Sequence, residues 1–349
     1  MNGTVRDGEV VVGDDARQRF YDSRGYGRPL EADRLALAPV EAAHLLFRGD
    51  LDAVDGQAFE AFLSAHAGSG LGVRFLVYKD LRDRGFYLSP AREGWVEDPN
   101  DVDFVVYPRG KGPEDGDVAH RVRAIGERAS VDTDGLAGTV LAVVDEESDL
   151  SYFEAETFEP TGGSDYEPEP ATGELLDDRV VVSDPPPDLH ERGFYGRPLA
   201  TRDGDRAGAL HLSLLEAGYL AAEGALGLVG GSVERIVARG REVEGERFDR
   251  RLRAYRTLRD RGAAPKTGFK FGADFRVYES VESVSELGHA EYLVRVLPAG
   301  HTFSPRDLAL DVRLAHGVRK RMVFARDTES TTNEGAGGLD WLAVSRLTP

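Results

Sequence analysis

Tyr195-Gly196-Arg197-Pro198-Leu199 repeats an earlier stretch of the chain, Tyr26-Gly27-Arg28-Pro29-Leu30. Two further matches follow in the same order and at nearly constant spacing. Leu81-Arg82-Asp83-Arg84-Gly85 returns as Leu258-Arg259-Asp260-Arg261-Gly262, and Asp103-Phe104-Val105-Val106-Tyr107 returns as Asp274-Phe275-Arg276-Val277-Tyr278. Ordered matches at one spacing predict a tandem duplication, in which the chain holds two copies of one structural unit.

The predicted join between the copies is residues 159–188, which are rich in proline, glycine and acidic residues. Proline lacks a backbone N–H and neighbouring carboxylates repel one another, so this stretch is predicted to be a linker. The chain then divides into a first copy (1–158), the linker (159–188), an N-terminal subdomain of the second copy (189–254) and a C-terminal domain (255–349).

Each copy is predicted to be α/β, with an N-terminal α/β subdomain and a C-terminal mixed sheet flanked by helices. In the second copy, a helix is expected at 210–225, another carries 258–262, and strands are expected at 269–278 and 290–297. Ser304 is a candidate N-cap with Pro305 at the first helical position, which predicts a helix over 305–318. Strands at 321–325 and 339–345 would complete the sheet.

Composition narrows the class of protein. Of the 349 residues, 41% are hydrophobic, yet no run approaches the ~20 apolar residues that a membrane span requires. Met1 to Asp15 is polar and acidic, without the apolar stretch of a signal peptide, so a soluble, cytoplasmic protein is expected. Cysteine is absent, which excludes disulfides, thiolate nucleophiles and cysteine-based zinc sites.

The net charge of -19 argues against a nucleic-acid partner, because phosphates repel an acidic surface. However, lysine is scarce and acidic residues abound, a composition typical of proteins that work in concentrated salt. There the screening length falls to roughly 3 Å at 1 M, so local charge matters more than the total. An ordinary acidic protein with a solvated surface is the alternative.

One segment is locally basic. It contains no carboxylate and holds five cations, which are Arg313, Arg319, Lys320, Arg321 and Arg326. In an acidic chain, such a cluster indicates an anionic partner. The alternative is that these cations pair with carboxylates elsewhere in the fold.

Four elements of the second copy resemble the catalytic domain of the archaeal tRNA-intron endonucleases, over about Leu258 to Leu347. They are Lys266-Thr267-Gly268-Phe269-Lys270-Phe271-Gly272, Phe275-Arg276-Val277-Tyr278, His289 ahead of Tyr292-Leu293-Val294, and Arg313-Leu314-Ala315-His316-Gly317-Val318-Arg319-Lys320. One intact and one degenerate copy resemble the homodimeric branch of that family. The resemblance implies a nuclease-like C-terminal sheet and an endoribonuclease that excises introns from precursor tRNA at bulge-helix-bulge motifs, leaving 2′,3′-cyclic phosphate and 5′-hydroxyl ends.

The resemblance also implies a catalytic triad of Tyr278, His289 and Lys320. Cleavage by the RNA's own 2′-hydroxyl needs a base, an acid for the leaving oxygen and a cation for the phosphorane charge. Histidine suits the acid and lysine the cation, whereas tyrosine is either the base or a group that orients the hydroxyl. Singly, each residue has a structural alternative: Tyr278 as a core aromatic, His289 as a surface histidine and Lys320 as a solvated helix end.

Two further residues are implied to bind substrate. Arg313 and Trp341 would sandwich a bulged base, since guanidinium and indole faces stack on bases for roughly 1–3 kcal/mol each. The alternative for Trp341 is core packing in the last strand. Residues 328–338 are a Ser/Thr/Gly-rich stretch that is longer than expected for the family. No carboxylate cluster accompanies the triad, so neither a metal nor another cofactor is expected.

The first copy lacks this chemistry. Tyr107 stands where the second copy has Tyr278, but Asp117 falls where His289 is expected, and Thr139-Val140-Leu141 lies near the position of Lys320. Without the acid and the cation, the first copy is not expected to cut RNA.

Two cut sites per intron require two active sites, which a two-fold homodimer supplies. The family docks its subunits partly through an acidic loop that enters a basic pocket near the active copy. The candidate loop here holds Asp145, Glu146, Glu147 and Asp149, and its alternative is a solvated turn. Two other functions stay open, namely a non-catalytic RNA-binding or scaffold subunit and a metal-dependent DNA nuclease.

Overall fold

The computed structural model describes residues 1–200, 206–328 and 338–349. It divides into unit 1 (Met1–Glu156, Thr302–Ala309 and Ser345–Pro349) and unit 2 (Thr157–His301 and Leu310–Val344). Apart from a short 3-10 turn, the elements up to residue 157 begin with the strands β1 (Asn2–Arg6) and β2 (Glu9–Val12), a π-helix (Arg17–Asp22), and the strands β3 (Arg28–Pro29) and β4 (Leu35–Leu37). They continue with helix α1 (Pro39–Phe47), strand β5 (Ala53–Val54), and helices α2 (Phe59–Ala65) and α3 (Leu71–Asp83). The last are the strands β6 (Leu88–Pro90), β7 (Phe104–Val106), β8 (His120–Gly126), β9 (Val131–Asp132), β10 (Thr139–Val144) and β11 (Leu150–Thr157).

The elements of the rest of the chain are β12 (Ala171–Leu176), β13 (Arg179–Val182), α4 (Asp188–Glu191), β14 (Arg197–Ala200), β15 (Arg206–Ser213), α5 (Leu214–Ala222), β16 (Leu226–Leu228), α6 (Glu234–Glu244), α7 (Glu246–Asp260), β17 (Ala264–Thr267), β18 (Phe275–Tyr278), β19 (Tyr292–Leu297), β20 (Thr302–Phe303), α8 (Pro305–Gly317), β21 (Arg321–Asp327) and β22 (Leu339–Leu347).

The strand orders of the two units confirm the tandem duplication. In unit 1, an N-terminal sheet has the order β3-β4-β2-β1-β5, and a further run of strands has the order β6-β7-β8-β10-β11. Unit 2 repeats both with β14-β15-β13-β12-β16 and β17-β18-β19-β21-β22. Strand directions also match, because β1 pairs parallel with β5 and β8 with β10, as β12 pairs with β16 and β19 with β21.

The repeated Tyr-Gly-Arg-Pro-Leu motif has a steric origin. Gly27 and Gly196 adopt φ values of +68° and +61°, a left-handed conformation that favours glycine. A Cβ atom at these positions would come within 2.3 Å of the Ala36 carbonyl oxygen and 2.5 Å of the His211 carbonyl oxygen, respectively. Each turn therefore requires glycine in order to approach its neighbouring strand.

Each glycine is also tied to the helix that follows its sheet. The Gly196 N–H donates to Glu216 Oε1 at 2.9 Å, and Ser213 with Glu216 forms the capping box of α5. The Gly27 N–H donates likewise to Glu41 Oε1 of α1 at 2.7 Å. A buried carboxylate thus satisfies orphan N–H groups at a helix start in both copies. The main apolar core of each unit then forms between these helices and the sheets.

The structure corrects three sequence predictions. The linker prediction is wrong for 171–182, where β12 and β13 form and bury Val180 and Val182. The predicted helix at 210–225 begins only at Leu214, because Ser213 caps it and 206–213 is a strand. The predicted strand at 269–278 is shorter, since Phe269–Phe271 forms a 3-10 turn.

The predicted helix at 305–318 and the closing strands are confirmed as α8, β21 and β22, and the strand predicted at 290–297 is confirmed as β19. Most of the Ser/Thr/Gly-rich stretch, residues 329–337, lies outside the described residues. Among the helices that the structure describes, none is both long and apolar enough to cross a membrane.

Candidate active site

The end of strand β18 and the starts of strands β19 and β21 lie side by side in the unit 2 sheet, and we call this place the strand edge. Tyr278 is the last residue of β18, which runs antiparallel to β19, so the end of β18 lies beside the start of β19. Strand β21 runs parallel to β19 with Arg321 opposite Tyr292, so the starts of these two strands coincide. Tyr278, the segment before β19 and Lys320 therefore come together, although 42 residues of sequence separate the first from the last.

Lys320 is directed toward the His289 segment by a hydrogen bond. Its Nζ donates to the carbonyl oxygen of Ala290, the residue that follows His289. Ala290 in turn belongs to the same apolar cluster as Tyr278. Because an ammonium group has three N–H donors, two of the Lys320 donors are left for a phosphate.

The position of Lys320 is set by the way α8 ends. The Lys320 N–H bonds to the Ala315 carbonyl oxygen at 2.9 Å, and the Arg319 N–H bonds to the His316 carbonyl oxygen at 2.9 Å. These are the two hydrogen bonds of a Schellman motif. Arg319 has φ +57° at the position where glycine is usual. The turn reverses the chain and starts β21 directly after Lys320.

Tyr278 is 9% exposed, and its ring packs edge to face against Phe194 with ring centroids 5.4 Å apart. Its hydroxyl makes no hydrogen bond to any residue that the structure describes, and it is not among the buried, unpaired side-chain atoms. Solvent, or a substrate in its place, can therefore reach the hydroxyl. The ring is buried, as the core-aromatic alternative for Tyr278 requires, but no described residue binds its hydroxyl.

His289 is exposed in the segment between a 3-10 turn (Val284–Glu286) and β19. Within 1–200, 206–328 and 338–349, no hydrogen bond or ion pair holds its imidazole. The ring can therefore rotate toward a ligand at the strand edge, and both ring nitrogens are available for proton transfer.

The first copy lacks the same constellation. Val140 pairs with Val122 as Val323 pairs with Val294, and this register places Ala137 at the position of Lys320. Asp117, at the position of His289, is ion-paired with Lys111 at 2.5 Å. Tyr107 is buried and its hydroxyl donates to Ser89 Oγ at 2.9 Å. The first copy thus keeps the tyrosine as a core residue, without an acid or a cation.

The basic segment is largely exposed. Arg313, Arg319 and Arg321 are exposed, and none of them forms an ion pair with a described residue. Arg321 lies over the ring of Phe158, with its guanidinium carbon 5.8 Å from the centroid. Of the five cations, only Arg326 forms an ion pair with a carboxylate that the structure describes, Asp340 at 3.5 Å. The segment from Arg313 to Arg321 is therefore locally positive, whereas the exposed Glu279 and Glu291 place carboxylates at the same strand ends.

Trp341 does not fit the predicted role of a base-stacking residue. It is 6% exposed and belongs to the main apolar core of unit 2. Its position opposite Ala325 in β22 directs the indole into the packing of the sheet. A ring covered on its faces cannot stack on a base, so core packing, the alternative stated for this residue, describes Trp341.

A basic cavity of about 880 Å³ lies in unit 2. Its lining includes five cations, which are Arg179, Arg197, Arg251, Lys266 and Arg276. Carboxylates neutralise Arg179, Arg251 and Lys266, whereas Arg197 and Arg276 have no ion pair with a described residue. The cavity adjoins the triad, because Phe194 lines it and contacts Tyr278.

The residues that sequence reasoning left without a role are Phe194 and the buried pair of Lys266 with Glu216. One signal for Phe194 exists in the sequence, because the residue before the repeated Tyr-Gly is Gly25 in the first copy and phenylalanine in the second. In the described parts of the chain, no three histidine or acidic side chains converge as metal ligands would.

The domains that the chain matches define the class of protein, which is an RNA-processing nuclease. The chain belongs to the tRNA intron endonuclease family, and it is an endonuclease that takes part in tRNA intron excision. The family's catalytic C-terminal domain matches residues 248–333, and its N-terminal domain matches 1–63 and again 171–237. The second N-terminal match begins at β12, which agrees with the corrected linker.

Similar proteins that cover most of the chain include two from salt-loving archaea. A tRNA-splicing endonuclease of Haloarcula marismortui is 59% identical over 98% of both chains, and one of Haloferax volcanii is 56% identical over 100% of both. A tRNA-splicing endonuclease of Methanosarcina mazei is 38% identical over 90% of this chain and 92% of its own. The acidic, lysine-poor composition agrees with relatives from concentrated salt.

Proposed function

We propose that the chain cuts precursor tRNA at bulge-helix-bulge motifs without a metal ion, leaving 2′,3′-cyclic phosphate and 5′-hydroxyl ends. The observation that carries this proposal is the meeting of Tyr278, His289 and Lys320 at one strand edge, with the Lys320 ammonium on the carbonyl next to His289. These side chains supply a proton acceptor or orienting hydroxyl, a proton donor and a cation. The cytoplasm, where precursor tRNA is expected, is the proposed location.

In this mechanism, the 2′-hydroxyl oxygen attacks the adjacent phosphorus while its proton leaves toward Tyr278 or toward a water that Tyr278 orients. The bond from phosphorus to the 5′-oxygen then breaks, and protonated His289 donates a proton to that oxygen. Lys320 stabilises the extra negative charge on the phosphorane. The products are the cyclic phosphate and the free 5′-hydroxyl, so protons and charges balance.

Substrate binding is proposed for Arg313, which is exposed on α8 seven residues before Lys320. A guanidinium plane can stack on an unpaired base and remain effective in salt, because stacking is screened little. Bulged nucleotides offer such unpaired bases, whereas paired RNA hides them.

The triad is tested by single-turnover cleavage of an intron-bearing precursor tRNA in molar KCl. His289→Ala and Lys320→Ala are each expected to cut about 100-fold or more slowly while RNA affinity changes little, since both groups act mainly in the transition state. Tyr107→Phe, at the equivalent position of the first copy, is the matched control and should cut like the parent. If both alanine variants cut at the parent rate, the triad assignment is wrong.

The same assay in excess EDTA distinguishes the alternative functions. We expect unchanged cleavage and an upstream fragment whose cyclic phosphate resists a phosphatase until acid opens the ring. Loss of activity in EDTA with rescue by Mg²⁺ would support a metal-dependent nuclease. Tight RNA binding without cleavage under any condition would support a scaffold subunit.

A homodimer is proposed to place two active sites on one substrate. The loop between β10 and β11 is exposed and preorganised, because Asp145 Oδ1 accepts the N–H groups of Glu147 and Asp149, each at 2.9 Å. Its carboxylates suit the cavity of unit 2, where Arg197 and Arg276 lack ion-pair partners among the described residues. We propose that the loop of one protomer enters this cavity of its partner.

A further inference from the structure

Phe194 holds a backbone conformation that is unusual for a bulky residue. Its φ is +51°, whereas the equivalent residue of the first copy is Gly25 with φ +63°. Glycine adopts this left-handed conformation freely, but a side chain with a Cβ is strained there. A strained residue persists only where the surrounding structure holds it, and such residues cluster at functional sites. The strained backbone of Phe194 therefore indicates that its side chain has a function.

Two partly buried cations hold this backbone in place. Arg259 Nη1 donates to the Gly193 carbonyl oxygen at 2.9 Å, and Lys266 Nζ donates to the Phe194 carbonyl oxygen at 3.1 Å. Lys266 also donates to the Gly196 carbonyl oxygen at 3.2 Å and pairs with a buried carboxylate at 2.5 Å. The Lys266 ammonium lies 4.9 Å from the centroid of the Phe194 ring. Backbone and ring are thus restrained together.

The restrained ring packs on the tyrosine of the triad. Phe194 is 7% exposed, and its ring meets that of Tyr278 at an interplanar angle of 71°. Both rings belong to one small apolar cluster with Ala264, Val281 and Ala290. The edge-to-face contact limits how far the tyrosine ring can tilt.

The first copy shows what happens without these groups. Arg82 still bonds to the Arg24 carbonyl oxygen at 2.9 Å, as Arg259 does to Gly193. However, glycine replaces the aromatic ring, and Ser89 occupies the strand register of Lys266. Ser89 then accepts the hydrogen bond of the Tyr107 hydroxyl, which is buried. Loss of the ring and the lysine therefore accompanies a tyrosine whose hydroxyl faces the interior.

We propose that Phe194 is a positioning residue for Tyr278, and that Lys266 and Arg259 hold it in its left-handed conformation. The phenyl ring restrains Tyr278, and the ammonium of Lys266 replaces the interior acceptor that Ser89 provides in the first copy. The Tyr278 hydroxyl consequently stays at the strand edge, where the RNA 2′-hydroxyl would lie. This inference rests on the catalytic role proposed for Tyr278.

The test combines Phe194→Leu and Phe194→Gly with Tyr278→Phe in a double-mutant cycle. Phe194→Gly suits the left-handed backbone and reproduces the first copy, so it separates folding from positioning. Single-turnover cleavage by each Phe194 variant should slow about 10-fold or more, with RNA affinity changed less than about twofold. In the Tyr278→Phe background, the same substitutions should slow cleavage no further, because the hydroxyl that they misplace is absent.

Phe20→Leu is the matched control and should cut at the parent rate, since Phe20 makes a similar edge-to-face contact with Tyr26 in the first copy, at 6.5 Å. Thermal unfolding of all variants verifies that they are folded. Parent-like rates in both Phe194 variants, or equal slowing in the presence and absence of the Tyr278 hydroxyl, would overturn the positioning role. A Tyr278→Phe variant that cuts at the parent rate would instead overturn the catalytic role of Tyr278, and this inference with it.

Discussion

Glu41 is a buried acid that forms no ion pair with a described residue, and we expect it to make the stability of unit 1 depend on pH. Its side chain is fully buried and accepts the N–H groups of Gly27 at 2.7 Å and Ala38 at 2.9 Å. Burial disfavours the charged form and raises the pKa of Glu41 from 4.5 to about 7, although the charge of Arg82 opposes this effect. Ser89 stands where unit 2 offers Lys266.

The sign of the effect follows from proton linkage. Because the pKa is higher in the folded state than in the unfolded state, the folded state binds more protons between pH 4.5 and 7. Glu41 therefore lowers the free energy of unfolding as pH rises through this range. The full cost of the ionised form is about 3 kcal/mol, and about 2 kcal/mol of it develops above pH 5.5. His44, hydrogen-bonded to Tyr26 nearby, acts oppositely, because burial lowers its pKa to about 4.

The perturbation is Glu41→Gln. Glutamine loses one acceptor for the two backbone N–H groups, which costs about 1–3 kcal/mol at every pH. The pH-dependent part of the cost disappears, so relative to the parent the variant should gain about 2 kcal/mol between pH 5.5 and pH 8. With Glu41 gone, the opposite contribution of His44 is no longer offset, so between pH 4.5 and 6.5 the stability of the variant should rise more steeply, or fall less steeply, with pH than that of the parent.

The assay is urea unfolding in molar KCl, followed by tryptophan fluorescence. The chain has two tryptophans, Trp95 in unit 1 and Trp341 in unit 2, so a Trp341→Phe background reports on unit 1. Glu60→Gln, at an exposed position of α2, is the matched control and should show no pH-dependent difference. A Glu41→Gln variant whose stability stays parallel to that of the parent from pH 5.5 to 8 would refute the reasoning.

Three further predictions concern unit 2 and the loop. Glu216→Gln should lower the free energy of unfolding at pH 8, measured with urea, by about 3–5 kcal/mol, because it leaves the Lys266 cation in the interior without its carboxylate. A loss below about 1 kcal/mol would argue against this ion pair. Arg319→Gly should raise the free energy of unfolding by about 0.5–1 kcal/mol, since glycine suits φ +57°. The same variant should bind RNA more weakly in filter assays at low salt. A destabilised variant would show that the backbone of Arg319 is not strained. When the loop carboxylates are all changed to lysine, light scattering in molar KCl should show monomers and a two-site cleavage assay should show incomplete excision. Charge reversal of the exposed Asp14 and Asp15 is the control. A dimeric, fully active variant would show that the loop is a solvated turn. The residues changed in that variant are Asp145, Glu146, Glu147 and Asp149.

The sequence alone determined the duplication, the helix at α8 and the strands that close the second copy. Repeats, N-caps and apolar periodicity are local signals, and the elements that they specify kept their places in the fold. The positions of Tyr278, His289 and Lys320 came from spaced motifs of one family. The linker prediction was wrong over 171–182, because proline and acidic residues, which are typical of a linker, lie on both sides of two short strands.

Only the tertiary structure decided which side chains are accessible. Trp341 and Arg313 were predicted as a pair, yet one is in the core and the other is exposed. Tyr107 and Tyr278 end matching strands. However, the Tyr107 hydroxyl donates a hydrogen bond to Ser89, whereas the Tyr278 ring packs against Phe194. Burial and hydrogen bonding depend on partners distant in the chain, such as Lys320 with Ala290. A sequence pattern specifies an element and its residues, whereas the packing of strands and helices from separate segments sets the environment in which those residues act.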